Sequence, residues 1–170
     1  MDYNEDAEKA VLGCVLIDDS KMSEIREILS SNDFKDHHHQ YIFAAVEKLN
    51  DANTEVDLVT LSDTLRDAKL LPIVGGSAYW TELTNYVPTS IRVLNYAKIV
   101  ADDAAKRRIK GAAERILQDA ENGTSLEDTL KTVQEEIHEV NQIGGKQNKY
   151  QVSSMLDFVD AAEERYKNRD

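Results

Sequence analysis

Apolar residues recur at helical spacing along most of the chain. In EDAEKAVLGCVLI, residues 5–17, Ala7, Val11, Val15 and Leu16 fall near one face of a 3.6-residue period. This predicts a helix that Asn4 or Asp6 caps. Asp18, Asp19 and Ser20 read as a turn, with Ser20 as the cap of a second helix whose Met22, Ile25, Ile28 and Leu29 keep the same period. SSND interrupts the pattern. A third helix is predicted over residues 37–50, carrying Tyr41, Ile42, Ala45 and Leu49. A short fourth has the stripe Leu61, Leu65 and Ala68, with Thr60 read as its N-cap and Asp63 in the capping-box position. Pro72, Gly75 and Gly76 mark a loop. SAYWTELTNYV reads as a fifth helix, ended by Pro88, and Thr89 or Ser90 caps the next helix.

From Ile91 onward prolines stop and loops become rare. Ile109, Ala113, Ile116 and Ala120 are spaced 4, 3, 4, and Leu126, Leu130, Val133, Ile137 and Val140 are spaced 4, 3, 4, 3. Each series is an a/d seam, and the short ENGTS turn between them predicts an antiparallel helical hairpin. GGKQNK has the composition of a flexible linker. After it, Ser154 and Asp157 have capping spacing, and Met155, Val159, Ala162 and Tyr166, with Phe158 beside them, form one more apolar stripe. A helix this short is marginal alone in water, so its apolar face must dock on something. The pattern therefore predicts an all-α protein: a compact bundle of short helices, a long antiparallel helical hairpin over 91–143, a linker over 144–152, and a tethered helix over 153–170. Residues 1–143 form the expected domain.

Composition narrows the function more than the fold. With 41% hydrophobic and 31% charged residues, 170 residues suffice for one core, and two prolines and seven glycines leave long helices possible almost everywhere. The net charge of −12 argues against a chain whose task is to grip nucleic-acid phosphates, because that grip needs clustered Lys and Arg. Acidic domains more often contact proteins. The single cysteine, Cys14, excludes an intrachain disulfide, fits a reducing cytosol, and reads as a small buried apolar residue within AVLGCVLI. That run is too short to span a bilayer, for which about 20 residues are needed.

The stretch FKDHHHQYIF holds three of the four histidines. Consecutive helical residues point about 100° apart, so His37, His38 and His39 cannot all reach one ion from a helix. His39 is expected to be buried or capping, with His37 and His38 exposed in the first turn. Paired carboxylates such as Asp102 and Asp103 or Glu135 and Glu136 diverge on a helix and read as solvated faces. KRRIK at 106–110, the only basic cluster, is accounted for by local ion pairs with the preceding acids. No G-x-x-x-x-G-K-[ST] or G-x-G-x-x-G is present, so ATP hydrolysis by this chain is not expected.

Several stretches, taken in order, resemble one family. EDAEKAVLGCVLID is similar to the opening of the DnaB-type replicative DNA helicases. DFKDHHHQYIFAAVEKL, VDLVTLSDTL and VGGSAYWTELTNYVPTSIRVLNYAKIV resemble successive later segments of that family. Each match is weak alone; their order is specific. Gly75, Gly76, Tyr79, Pro88 and Tyr96 match framework positions, and His39 falls on the family's histidine position. His37 and His38 depart from the pattern, where Pro and Ala are usual.

The resemblance implies an amino-terminal assembly and recruitment domain of a hexameric helicase, with no catalytic residue, cofactor or metal in this chain. The ATP- and Mg-dependent RecA-like domain is expected to follow Asp170. In such proteins the hairpins pair subunits into dimers and a three-fold collar, which implies oligomerisation through Ile109, Ile116, Leu126, Leu130, Val133 and Ile137. The hairpin tip matches the region used for partners, here Gln118, Asp119, Glu121, Asn122 and Glu127. The expected partners are a second copy, primase and a helicase loader. Met155, Phe158, Val159, Ala162 and Tyr166 match the face that docks on the neighbouring subunit's ATPase domain. Little direct DNA contact and no membrane contact are implied, in the cytoplasm of a bacterium or a virus-infected bacterium. A rival reading is a stand-alone collar mimic acting as a decoy or loader antagonist, which a stop codon after Asp170 would favour. An enzyme reading would need stoichiometric zinc on the histidines.

Overall fold

The computed structural model describes residues 4–86, 92–123 and 125–142. Among them seven α-helices follow one another and no strand occurs: α1 Glu5–Ile17, α2 Met22–Arg26, α3 His37–Asp51, α4 Leu58–Asp67, α5 Gly76–Tyr86, α6 Val93–Glu121 and α7 Leu126–Gln142. They fall into two compact units, Met1–Arg107 and Arg108–Asp170, and α6 contributes to both. Pro88, Thr89, Ser90, the linker and the tethered helix lie outside the described residues.

In the first unit α1 is the central element. Asn4 caps it by accepting the Ala7 N–H at 2.9 Å, and Glu5, Asp6 and Glu8 put negative charge in its first turn, where the helix dipole favours it. The run from Ala10 to Val15 is buried all round, as an apolar helix in the middle of a core should be. α5 and α3 pack against α1, and α4 packs against α3 and α5. Phe34, Met22, Ile25, Ile42, Phe43, Val46, Leu61, Leu65, Trp80 and Leu83 fill the space between them.

Three boundaries differ from the sequence expectation. Ser20 does not cap α2; Asp18 starts a single 3-10 turn at Asp19–Lys21 that runs into it, with the Asp18 carboxylate accepting the Ser20 N–H. α4 starts one turn before Thr60. Asp57 takes the extended conformation, and its carboxylate accepts the N–H of Val59 and Thr60 at 2.7 and 2.8 Å. The Thr60 hydroxyl accepts the Asp57 N–H at 3.0 Å, so Thr60 is the third residue of the box rather than its cap. Finally, the start of α6 belongs to the bundle. Val93, Ala97, Val100 and Ala104 are buried in a 4, 3, 4 series.

Candidate functional site

The histidine stretch resolves into a structural knot. Asp36 caps α3 by accepting the His38 N–H at 2.7 Å, and His37 and His38 stay exposed. His39 is fully buried. Its Nδ1–H donates to the Glu8 carboxylate at 2.7 Å, and its Nε2 pairs with the Tyr79 hydroxyl at 2.7 Å. Glu8 also accepts the Lys35 N–H at 2.6 Å. Burial pushes the Tyr79 hydroxyl up to about 12, so it keeps its proton and is no nucleophile at ordinary pH. The network ties α1, α3 and α5 together. Glu8 was not singled out in the sequence; the one signal was a carboxylate on the apolar side of α1. Among the described residues no three His, Cys, Asp or Glu side chains are gathered as a metal set would be.

The second unit holds the more exposed feature. Arg115 makes a two-pronged pair with Glu136, and the Thr132 hydroxyl donates to the Asp119 carboxylate at 2.7 Å. A step of four residues forward on α6 matches a step of four back on α7, which makes the pair antiparallel. Arg115 holds the Glu136 carboxyl below its ordinary value through these hydrogen bonds. At ~100° per residue, the line through Thr129, Thr132 and Glu136 lies about a quarter turn from the line through Leu126, Leu130, Val133 and Ile137. On α6 the line through Arg115 and Asp119 lies about a third of a turn from Ile109, Ala113, Leu117 and Ala120. Both offsets have the same rotational sense along their own chain. Because the helices run oppositely, both apolar stripes come to one side of the hairpin.

That side is open in this chain. Ile109 is 52% exposed, Leu117 58%, Leu126 77% and Leu130 53%. Ile116, Val133 and Ile137 are half-buried, while the side chain of Val140 lies outside the described residues. Leu117 was missed because the seam was drawn through Ile116; its signal was the spacing of four from Ala113. At the tip, Gln118, Glu121, Asn122 and Glu127 are exposed, and Asp119 is half-buried against Thr132. Met155, Phe158, Val159, Ala162 and Tyr166 lie outside the described residues. In the basic stretch Lys106 pairs with Asp103 at 3.5 Å, and Arg107 donates to the Asp33 carbonyl. Among the described residues no helix is long and apolar enough to cross a membrane.

Comparison with known proteins bears on what such a surface serves. Residues 1–102 match the family model described as DnaB-like helicase N terminal domain. The chain is similar to the replicative DNA helicase DnaB of Treponema pallidum, 38% identical over 169 residues, which is 98% of this chain and 39% of that protein. It is also 38% identical over 140 residues to the replicative DNA helicase DnaC of Bacillus subtilis, covering 82% of this chain and 31% of that one. The chain thus spans well under half the length of these relatives. The crystal structure of the N-terminal domain of DnaB helicase from Mycobacterium tuberculosis matches with a TM-score of 0.77 and 31% identity, over 81% of this chain and 96% of that one. A DnaB-like replicative helicase, described together with its interactions with primase, shares the fold with a TM-score of 0.69 and 24% identity, over 98% of this chain and 37% of that one.

Proposed function

Because the chain belongs to the family of DnaB-like helicase N-terminal domains, we propose that it is a non-catalytic assembly and recruitment module of a replicative DNA helicase. A second copy covers the open side of the hairpin, and pairs formed in this way build the collar of a ring. The exposed tip receives primase or a loader. The chemistry of ATP-driven unwinding lies outside the 170 residues, in the part of the relatives that this chain does not span. The segment that carries Met155, Phe158, Val159, Ala162 and Tyr166, outside the described residues, is proposed to couple the collar to a neighbouring subunit.

One observation carries the self-association reading: Ile109, Leu117, Leu126 and Leu130 are all more than half exposed and share one side of an otherwise well-formed hairpin. An apolar surface of this kind on a soluble domain marks an interaction site. A two-fold pairing of copies covers both with one set of residues. The test is sedimentation equilibrium across a range of concentrations. The wild-type chain is expected to self-associate, and Leu130→Asp to weaken this at least about tenfold by forcing a carboxylate into the interface. A wild-type chain that stays monomeric at high concentration, or an unchanged equilibrium in the variant, counts against it.

A further inference from the structure

The two halves of the hairpin are built against their own seam. Spacings of 4, 3, 4 on both helices are what an antiparallel pair would use to bury its apolar lines against each other. Instead Leu126 and Leu130 stay more than half exposed while Ile116, Val133 and Ile137 are half-buried, and two polar pairs bridge the helices beside them. Arg115 and Glu136 meet there in the planar two-pronged geometry that tolerates little rotation. One turn nearer the tip, the half-buried Asp119 accepts the Thr132 hydroxyl at 2.7 Å. A single such contact leaves a helix free to roll about it. Two contacts one turn apart, on matched steps of four, fix both roll and register.

We propose that the Arg115–Glu136 and Asp119–Thr132 pairs are a register lock, which holds α7 rolled so that Leu126 and Leu130 stay on the outer face of the hairpin. The lock opposes an alternative packing in which α7 rolls about a quarter turn and buries its leucines inside the same hairpin. Rolling would separate Glu136 from Arg115 and leave the Asp119 carboxylate half-buried without the Thr132 hydroxyl, which is the cost that keeps the apolar face outward. These four are positioning residues: they act on association through the leucines they orient. The inference rests on reading that face as the self-association surface, but its geometric core can be tested separately.

The reporter is the whole chain carrying Leu130→Cys, labelled with a thiol reagent at a concentration below that at which the chain associates. Cys14 is buried, with its thiol pushed up to about 11, and stays silent. Replacing the lock by apolar residues, with Arg115→Leu, Glu136→Leu, Asp119→Leu and Thr132→Val together, is expected to slow labelling at position 130 at least about tenfold while helix content is kept. The charge-swapped pair Arg115→Glu with Glu136→Arg is expected to label within about twofold of the unaltered lock. Equal labelling with and without the lock, in helical protein, overturns the proposal. If the fourfold variant loses its helices, Glu136→Gln decides: labelling slowed by about threefold or more supports the lock, and an unchanged rate overturns it. In chains that keep Leu130, association is expected to weaken about tenfold without the lock and to return with the swapped pair. A wild-type chain that never associates would refute the self-association reading, while the labelling comparison would still judge the lock.

Discussion

At Gly75 the backbone takes φ +85°, and at Gly76 +63°, so α5 begins on two left-handed residues. A Cβ on Gly75 would stand 3.0 Å from the Cβ of Tyr79, whereas one on Gly76 would meet nothing within 4 Å. Alanine at either place costs roughly 1–2 kcal/mol through the backbone alone. Only at position 75 must Tyr79 also move, and Tyr79 holds the buried His39. Gly75→Ala is therefore expected to lower the urea midpoint more than Gly76→Ala, and equal losses would show that Tyr79 is not held tightly. The same tyrosine gives a pH signature. Its hydroxyl titrates near 10 in the unfolded chain and is raised to about 12 by burial in the folded one. Between these values the native state binds the extra proton, so stability falls as pH rises, and the contribution is intact below pH 10. Urea midpoints measured between pH 9 and 12 should fall less steeply in Tyr79→Phe than in the wild type; identical slopes would rule the tyrosine out as the source.

α3 and α4 end in a way that the hydrophobic pattern does not display. At the close of α4 the Lys69 N–H donates to the Arg66 carbonyl at 2.9 Å and the Leu70 N–H to the Leu65 carbonyl at 2.8 Å, with Lys69 at φ +60°. Asn53 at φ +51° closes α3 in the same way, through the Asn53 N–H on Asn50 and the Thr54 N–H on Leu49. This motif favours glycine at the left-handed position; asparagine tolerates it and lysine does not. Lys69→Gly should therefore stabilise the chain by about 1 kcal/mol, and Asn53→Gly by only a few tenths. A neutral or destabilising Lys69→Gly, measured by urea unfolding, would show that the left-handed turn carries no such strain. Such endings explain what could be read in advance. The bodies of α1 and α3 stood out because their apolar period is long and uninterrupted, and the hairpin because its two seams flank a short polar turn. The start of α4 was misplaced because Thr60 and Asp57 are both good caps, and only the extended backbone at Asp57 chooses between them. Glu8 escaped notice because a buried carboxylate is recognised by its partners, Lys35 and His39, which come from distant sequence. The outward roll of Leu126 and Leu130 was equally hidden: a 4, 3, 4 stripe says that a face will be covered, not whether its own hairpin or another molecule covers it.

For the whole molecule, the acidic balance and the apolar hairpin face pull in opposite directions. Each copy carries a net charge of −12, so two copies repel as they approach. Against this stand four large exposed apolar side chains per copy, each worth about 1.5–3 kcal/mol when fully buried. Association itself costs roughly 4–15 kcal/mol in lost freedom. The margin is narrow, so pairing of the chain should be weak and dependent on conditions. Salt separates the terms. Raising ionic strength from 0.01 to 0.15 M shortens the screening length from about 30 to about 8 Å, which suppresses repulsion between whole copies and leaves apolar burial untouched. Self-association measured by sedimentation is therefore expected to strengthen a few-fold over that range. Binding to nucleic-acid phosphates, or pairing held by surface ion pairs, would show the opposite sign and weaken as salt rises. A dissociation constant that climbs steeply with salt would thus exclude the apolar face as the driving contact. One that falls, and that Leu130→Asp abolishes, would place the pairing on the outer side of the hairpin.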